Sequence, residues 1–233
     1  MIFTRKLLWA QQNLLLERNA KGMDNMAYME ELVNRYPKLE PVKGAIIEGY
    51  EILKECFSSG HKLLVAGNGG SAADSEHIVG ELMKGFVKRR RISQDMARRM
   101  EAIDQQAGKE LAEKLQAGLP AIALTGHPGL STAFLNDVDG LMTYAQQVYG
   151  YGQEGDVFLG ISTSGNAANI HYALVAARAK GMKVIGLTGK DGGKLGKYAD
   201  TAIIVPEQET YKIQELHLPV YHTLCLMLED CFF

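Results

Sequence analysis

The chain has 233 residues, 46% of them apolar, and a formal net charge of −2. That length fits one domain with extra helices or two small ones, and the apolar share suffices for a full hydrophobic core. The charge balance does not imply a general nucleic-acid-binding role, and no run reaches the roughly 18 apolar residues of a membrane span. The cysteines (Cys56, Cys225, Cys231) are odd in number and form no CxxC pair, which points to reduced thiols in a cytoplasmic protein.

Residues 3–35 are helix-prone, and Gly22 and Asp24 divide them into two predicted helices; Leu8, Leu14, Leu15, Met26, Met29, Leu32 and Val33 recur at helical spacing. After Pro37 and Pro41 a further helix is predicted over 42–58. The period then changes. Lys62–Ala66 reads as a buried strand, followed by a helix over 73–86. The basic run Lys88–Arg91 reads first as a solvated loop and second as a binder of an anionic substrate or polymer, and 93–117 as a charged, helix-prone stretch. Later strands are predicted at Ala121–Leu124, Asp156–Ile161, Lys183–Leu187 and Thr201–Val205. Helices are expected over 131–136, 139–151, 167–180 and 211–232. Short apolar strands alternating with helices imply a parallel sheet covered on both faces, with ligands at the carboxyl ends of its strands.

Two of those strand ends carry chemistry. Gly67-Asn68-Gly69-Gly70-Ser71 joins the first strand to a helix, and such a loop offers backbone N–H groups to an anion at a helix N-terminus. It matches neither GxGxxG nor GxxxxGK[ST]. Ser162-Thr163-Ser164-Gly165-Asn166 follows the third strand. A helix cap needs only one hydroxyl residue there, so three in a row favour a phosphate cradle that needs no lysine.

On these residues the chain resembles the sugar isomerase (SIS) domain family: GNGGSAAD, GISTSGNAANI and GLTGKDGG all match its pattern. Within it the chain is similar to the phosphoheptose isomerases. The resemblance implies an α/β, three-layer α-β-α sandwich around a five-stranded parallel sheet of flavodoxin-like type, plus N-terminal helices. Residues 1–60 would be a helical region packing on the core or on a neighbouring subunit, and 61–233 the SIS domain. It further implies a homotetramer with sites at subunit interfaces and a small sugar phosphate as substrate, with neither membrane nor nucleic acid as partner.

Spacing puts His77 and Glu81 on one helical face, and Gln214 and His222 on one face of the last helix. Such spacing also fits ordinary surface pairs, while the donor types suit a tetrahedral N/O zinc site. By resemblance, His77, Glu81, Gln214 and His222 bind zinc, one ion per subunit, and Glu81 and His222 are the acid–base pair. The implied reaction is a ketose–aldose isomerisation through an enediol, from sedoheptulose 7-phosphate to D-glycero-D-manno-heptose 7-phosphate. Substrate contacts would come from Asn68, Gly69, Ser71, Ser162, Thr163, Ser164 and Gln214, and from the Asn136-Asp137 pair.

Elsewhere the chain departs from the family pattern. His127 stands near an expected aspartate, Met83-Lys84-Gly85-Phe86 lacks a common arginine, Ala167 replaces a serine, and 93–117 is longer than the usual connection. These changes touch substrate contacts and leave the phosphate loops intact. Alternative readings are an isomerase of another sugar phosphate or a non-catalytic SIS regulator that binds one. His61 reads as exposed, His171 as a packing or capping residue, and Asp191 as a turn residue or a neighbour of the site.

Overall fold

Five apolar segments pair in parallel: β1 (Leu63–Ala66), β2 (Ala121–Ala123), β3 (Val157–Ser162), β4 (Lys183–Thr188) and β5 (Thr201–Ile204). Their order is β2-β1-β3-β4-β5 in the computed structural model, which describes residues 24–233. Leu63 pairs with Ala121 on one side and Val157 on the other, and Ser162 pairs with Thr188. This is the doubly wound order in which connections leave adjacent β1 and β3 in opposite directions, opening a crevice at their carboxyl ends.

The helices are α1 (Asp24–Arg35), α2 (Lys43–Ser58), α3 (Gly70–Met83), α4 (Gln94–Ile103), α5 (Gln105–Lys114), α6 (Pro128–Phe134), α7 (Thr143–Tyr151), α8 (Ala168–Ala179), α9 (Gly193–Tyr198) and α10 (Thr210–Phe232). Strand side chains alternate between two faces. Leu63, Val65, Leu159, Ile161, Ile185 and Ile203 join residues of α1, α2, α3 and α10 in one buried cluster. Leu64, Ala66, Phe158 and Val184 join α7, α8 and α9 in the other. Both faces are thus covered, giving the three-layer α/β sandwich. Met29, Leu32, Ile46 and Tyr50 are part of the first cluster, so residues 29–50 share the sheet's core. The helix expected before Gly22 lies outside the described residues.

Four stretches differ from the sequence expectation. The helix expected over 73–86 begins at Gly70 and stops at Met83, because Gly69 takes φ +57° and lets the helix start inside the glycine cluster. Beyond Met83 the backbone N–H groups of Phe86, Val87 and Lys88 donate to the Glu229 carboxylate instead of to helical carbonyls. Residues 93–117 form two helices, broken at Asp104, whose side chain accepts from the Gln106 and Ala107 N–H groups and caps α5. Before α7 the chain makes a π turn (Leu135–Asp139) and a 3-10 turn (Gly140–Met142), and α9 was not anticipated.

The basic run is also not uniformly solvated. Arg90 is fully buried, with Nε 2.7 Å from Glu229 Oε1. Its other nitrogens donate to the Leu82 and Glu81 carbonyls at 2.7 and 2.9 Å. Lys88 pairs with Asp230. Arg89 and Arg91 remain exposed, as expected of residues either side of an inward-facing one in extended chain.

Candidate active site

The crevice at the β1 and β3 ends is built from the two anticipated loops. Gly67–Gly69 turns directly into α3, whose N-terminus carries partial positive charge. Ser71 and Ser162 are nearly buried, while Thr163 and Ser164 are partly accessible. Gly165 takes φ +66°, and a Cβ there would overlap the Gly192 carbonyl oxygen, so only glycine closes this turn. The Asn166 N–H bonds Ser164 Oγ at 3.2 Å. Asn68 and Asn169 exchange amide hydrogen bonds of 2.9 and 2.8 Å, locking one loop to the start of α8 behind the other. The Tyr144 hydroxyl donates to the Gly67 carbonyl (2.8 Å).

Beside the second loop lies a cavity of about 440 Å³ lined by Ser164, Asn166, Lys190, Asp191 and Gln208. Asp191 lines the cavity, and its carboxylate accepts from the Gly193 N–H (3.1 Å), the bond of a turn residue. Lys190, at φ +55°, lines the same cavity.

The acid–base and metal candidates converge from α3 and α10. His77 is the hub: its Nε2 lies 3.2 Å from Glu81 Oε1 and 3.5 Å from His222 Nε2. Glu81 is mostly buried, and its second oxygen meets Lys84 Nζ at 3.2 Å. Burial, with His77 beside it, lowers the His222 pKa against the pull of Glu81. His222 also packs on Phe86, with ring centroids 5.3 Å apart, and lines an apolar cavity of about 310 Å³ with Tyr28, Tyr36 and Leu218. Gln214 sits two turns earlier against the first loop: a Cβ on Gly70 would stand 2.6 Å from Gln214 Nε2. One face of α10 therefore touches both the loop and the hub.

The donor set suits a metal in kind. Neighbouring ligands of a tetrahedral zinc with 2.0–2.1 Å bonds stand about 3.3 Å apart, and the separations of 3.2 and 3.5 Å around His77 bracket that value. Among the described residues, however, no set of three or more His, Cys, Asp and Glu side chains is gathered as a metal site. The fourth donor assigned by resemblance is an amide, Gln214.

Other candidates stand apart from this convergence. Asn136 and Asp137 are exposed on the π turn, where Asn136 Nδ2 donates to Asp137 Oδ1 (2.8 Å). His127 is at the N-cap of α6 with its ring 5.6 Å from that of Tyr151 and its Nε2 buried without a partner. His171 packs against Tyr198 (5.5 Å), as anticipated. His61, expected to be exposed, is partly covered and lies 3.7 Å from Asp156. Asn169, Asp74 and Tyr221 escaped the sequence reading. Asp74 could have been found, being three residues before His77 on the same helical face; Tyr221 had only its place beside His222.

The fold and the paired loops define a SIS-domain protein, and a family profile described as the SIS domain matches residues 96–189. The phosphoheptose isomerase of Aneurinibacillus thermoaerophilus is 37% identical over 202 residues, which cover 82% of this chain and 89% of that relative. That of Nitratiruptor sp. is 39% identical over 178 residues, covering 76% and 81%. The structure of a phosphoheptose isomerase from Francisella tularensis superposes with a TM-score of 0.66 at 30% identity, over 92% of this chain and 97% of that one. The chain belongs to the phosphoheptose isomerase family.

Proposed function

We propose that the protein interconverts sedoheptulose 7-phosphate and D-glycero-D-manno-heptose 7-phosphate through an enediol. The observation that carries this reading is that α3 begins in the first phosphate loop and two turns later presents His77 and Glu81 to His222. A phosphate held by Ser71, Ser162, Thr163 and Ser164 fixes the far end of the sugar and leaves C1 and C2 to the hub. The Glu81 carboxylate takes a proton from C1; the C–H electrons form the C1–C2 double bond and the carbonyl electrons move to O2. His222 serves the oxygens, delivering a proton to O2 and receiving one from O1. Return of the Glu81 proton to C2 completes the aldose. Zinc, one ion per subunit, would be held by His77, Glu81, Gln214 and His222, and when bound would polarise the carbonyl.

The same cluster favours an enzyme over a sugar-phosphate-binding regulator, since binding alone needs only the loops. The proposed assembly is a homotetramer. Its support is the exposed apolar set Leu130, Leu135, Val138, Leu141 and Met142 on the segment that also carries Asn136 and Asp137. The proposed compartment is the cytoplasm, supported by Cys56, Cys225 and Cys231 all being free thiols. No described helix is long and apolar enough to cross a membrane.

The test is a panel of ketose and aldose phosphates incubated in D₂O with protein and zinc and followed by NMR. Sedoheptulose 7-phosphate should isomerise, with solvent deuterium entering C2 in those turnovers in which the Glu81 proton exchanges before its return. Glu81→Gln should still bind the sugar phosphate and lose turnover by at least about a hundredfold. Full activity in that variant removes Glu81 as the base. Light scattering that finds a monomer at micromolar concentration overturns the tetramer.

A further inference from the structure

We propose that Asp74 and Tyr221 are positioning residues that fix His77 as its Nδ1–H tautomer, turning its Nε2 lone pair toward Glu81 and His222. The inference rests on the reading of those three side chains as the working cluster. The Tyr221 hydroxyl lies 3.1 Å from Asp74 Oδ1 and 3.1 Å from His77 Nδ1. Tyr221 is almost fully buried, at 1% exposure, and its ring packs edge-on against both His77 and His222. Its hydroxyl is thereby held in one place between its two partners.

Proton counting then settles the Nδ1 end of the ring. A carboxylate can only accept, and a phenol has one hydrogen to give. That hydrogen goes to Asp74, so the phenol oxygen must accept from His77, and Nδ1 must carry the ring proton. The Nε2 lone pair is left facing Glu81 Oε1 at 3.2 Å and His222 Nε2 at 3.5 Å. Two acceptors at that separation repel unless a proton or a cation lies between them. The relay therefore keeps a ring proton on Nδ1 and leaves Nε2 as the atom that a cation, or a proton shared with Glu81, must occupy. This is the arrangement by which an outer hydrogen bond sets a histidine's tautomer and strengthens it as a ligand.

The sharpest variant is Asp74→Asn, which keeps the side-chain shape. An amide can donate to the phenol oxygen, freeing the Tyr221 hydrogen for His77 Nδ1 and moving the ring proton to Nε2. Tyr221→Phe keeps the ring and removes the bridge. Long-range ¹H–¹⁵N spectra of histidine-labelled, metal-free protein at neutral pH should show His77 protonated on Nδ1 in the parent and on Nε2 in Asp74→Asn. Zinc affinity, measured by competition with a chromophoric chelator, should fall by about 10- to 100-fold in each variant. The double variant should lose no more than the worse single one, because both act through one hydrogen-bonded chain.

Backbone amide spectra matching the parent establish that the variants fold, and zinc titrated into the parent supplies the reference. An Nε2–H tautomer in the parent overturns the relay, as does zinc affinity within twofold of the parent in both variants. These readouts need no turnover. A parent that binds zinc with the expected tautomer but isomerises none of the sugar phosphates would remove the proposed activity and leave the relay standing.

Discussion

Replacing Glu229 by alanine should be among the costliest single polar substitutions in the described chain. The carboxylate accepts from the N–H groups of Phe86, Val87 and Lys88 at 2.8, 2.9 and 3.1 Å and from Arg90 Nε at 2.7 Å. The Arg90 and Glu229 side chains are 0% and 1% exposed. Deleting the carboxylate strands a buried guanidinium, a loss of about 3–5 kcal/mol for a pair of this kind. For a chain of 233 residues that corresponds to a fall in melting temperature of about 6–20 °C. Burial by itself raises the Glu229 pKa, but the Val87 and Phe86 N–H groups and Arg90 outweigh it, and the net shift is downward. A lowered carboxylate pKa adds stability above the ordinary glutamate range and loses it as pH falls through the lowered value. Urea unfolding of parent and Glu229→Ala at neutral pH and in acid should therefore show the gap closing in acid. Arg90 also holds the Glu81 and Leu82 carbonyls, so kcat should fall with the loss of order at the end of α3. A variant within about 1 kcal/mol of the parent at neutral pH refutes the reasoning, since breaking a paired buried charge is far costlier than that.

Two further outcomes follow from buried groups. His217 is fully buried, its Nε2 bonded to the Thr188 carbonyl (3.2 Å), and burial pushes its pKa down to about 4. The folded state excludes a proton that the unfolded chain takes up near pH 6.5, so stability should fall as pH drops from about 6.5 to 4, by roughly 3 kcal/mol in total; His217→Gln should flatten that slope in urea unfolding, and an unchanged slope refutes the assignment. Gly165→Ala forces a left-handed φ and a clash with Gly192, so sugar-phosphate affinity should drop by at least tenfold, with a further stability loss of about 1–2 kcal/mol; affinity equal to the parent by calorimetry removes the STSGN turn from the phosphate site.

The sheet was legible because its strands are short apolar runs ending in glycine, serine or threonine, and their alternation with helices admits few topologies. Element ends were less so, for physical reasons. The chain reads as helix up to 86 and as a solvated loop over Lys88–Arg91 until Glu229, far along the chain, is seen to bind Phe86, Val87, Lys88 and Arg90. Asp104 caps a second helix inside a stretch whose helical composition is continuous. In the site, the two loops followed from their motifs, whereas the grouping of His77, Glu81, Gln214 and His222 came only from the family resemblance, because their spacing also fits ordinary surface pairs. Asn169 followed from neither, because its partner Asn68 lies 101 residues away. Nor did the Asp74–Tyr221 bridge, which exists only once α10 crosses α3. Lys190 lies within GLTGKDGG but is not singled out there; its place beside Ser164 depends on how the ends of β3 and β4 lie together.

The α4–α5 hairpin makes a last and larger test of how the domain is held together. No residue from 92 to 115 belongs to either buried cluster. Within the hairpin, Gly108 lets α5 lie against the Met100 and Glu101 backbone of α4, so the two helices mainly bury each other. At its base Arg91 and Gln116 form an antiparallel bridge, and the Ala117 N–H donates to the Arg90 carbonyl (2.9 Å). The chain ends left by excision are therefore already placed as the two arms of a β-hairpin, which a two-residue Asn-Gly turn can close. Removing Ile92–Leu115 and inserting that turn should keep cooperative unfolding and shift the melting temperature by less than about 4 °C. Arg90, Glu229 and the Gln116 contact to the Gly85 N–H (2.7 Å) all lie outside the excised segment. The end of α3 should then stay ordered, and isomerase turnover should survive. A shortened chain that unfolds without a cooperative transition would show that the hairpin completes the core, against the packing described above. One that folds normally yet loses turnover would show that the hairpin reaches the substrate, which its attachment just beyond Glu81 would then explain.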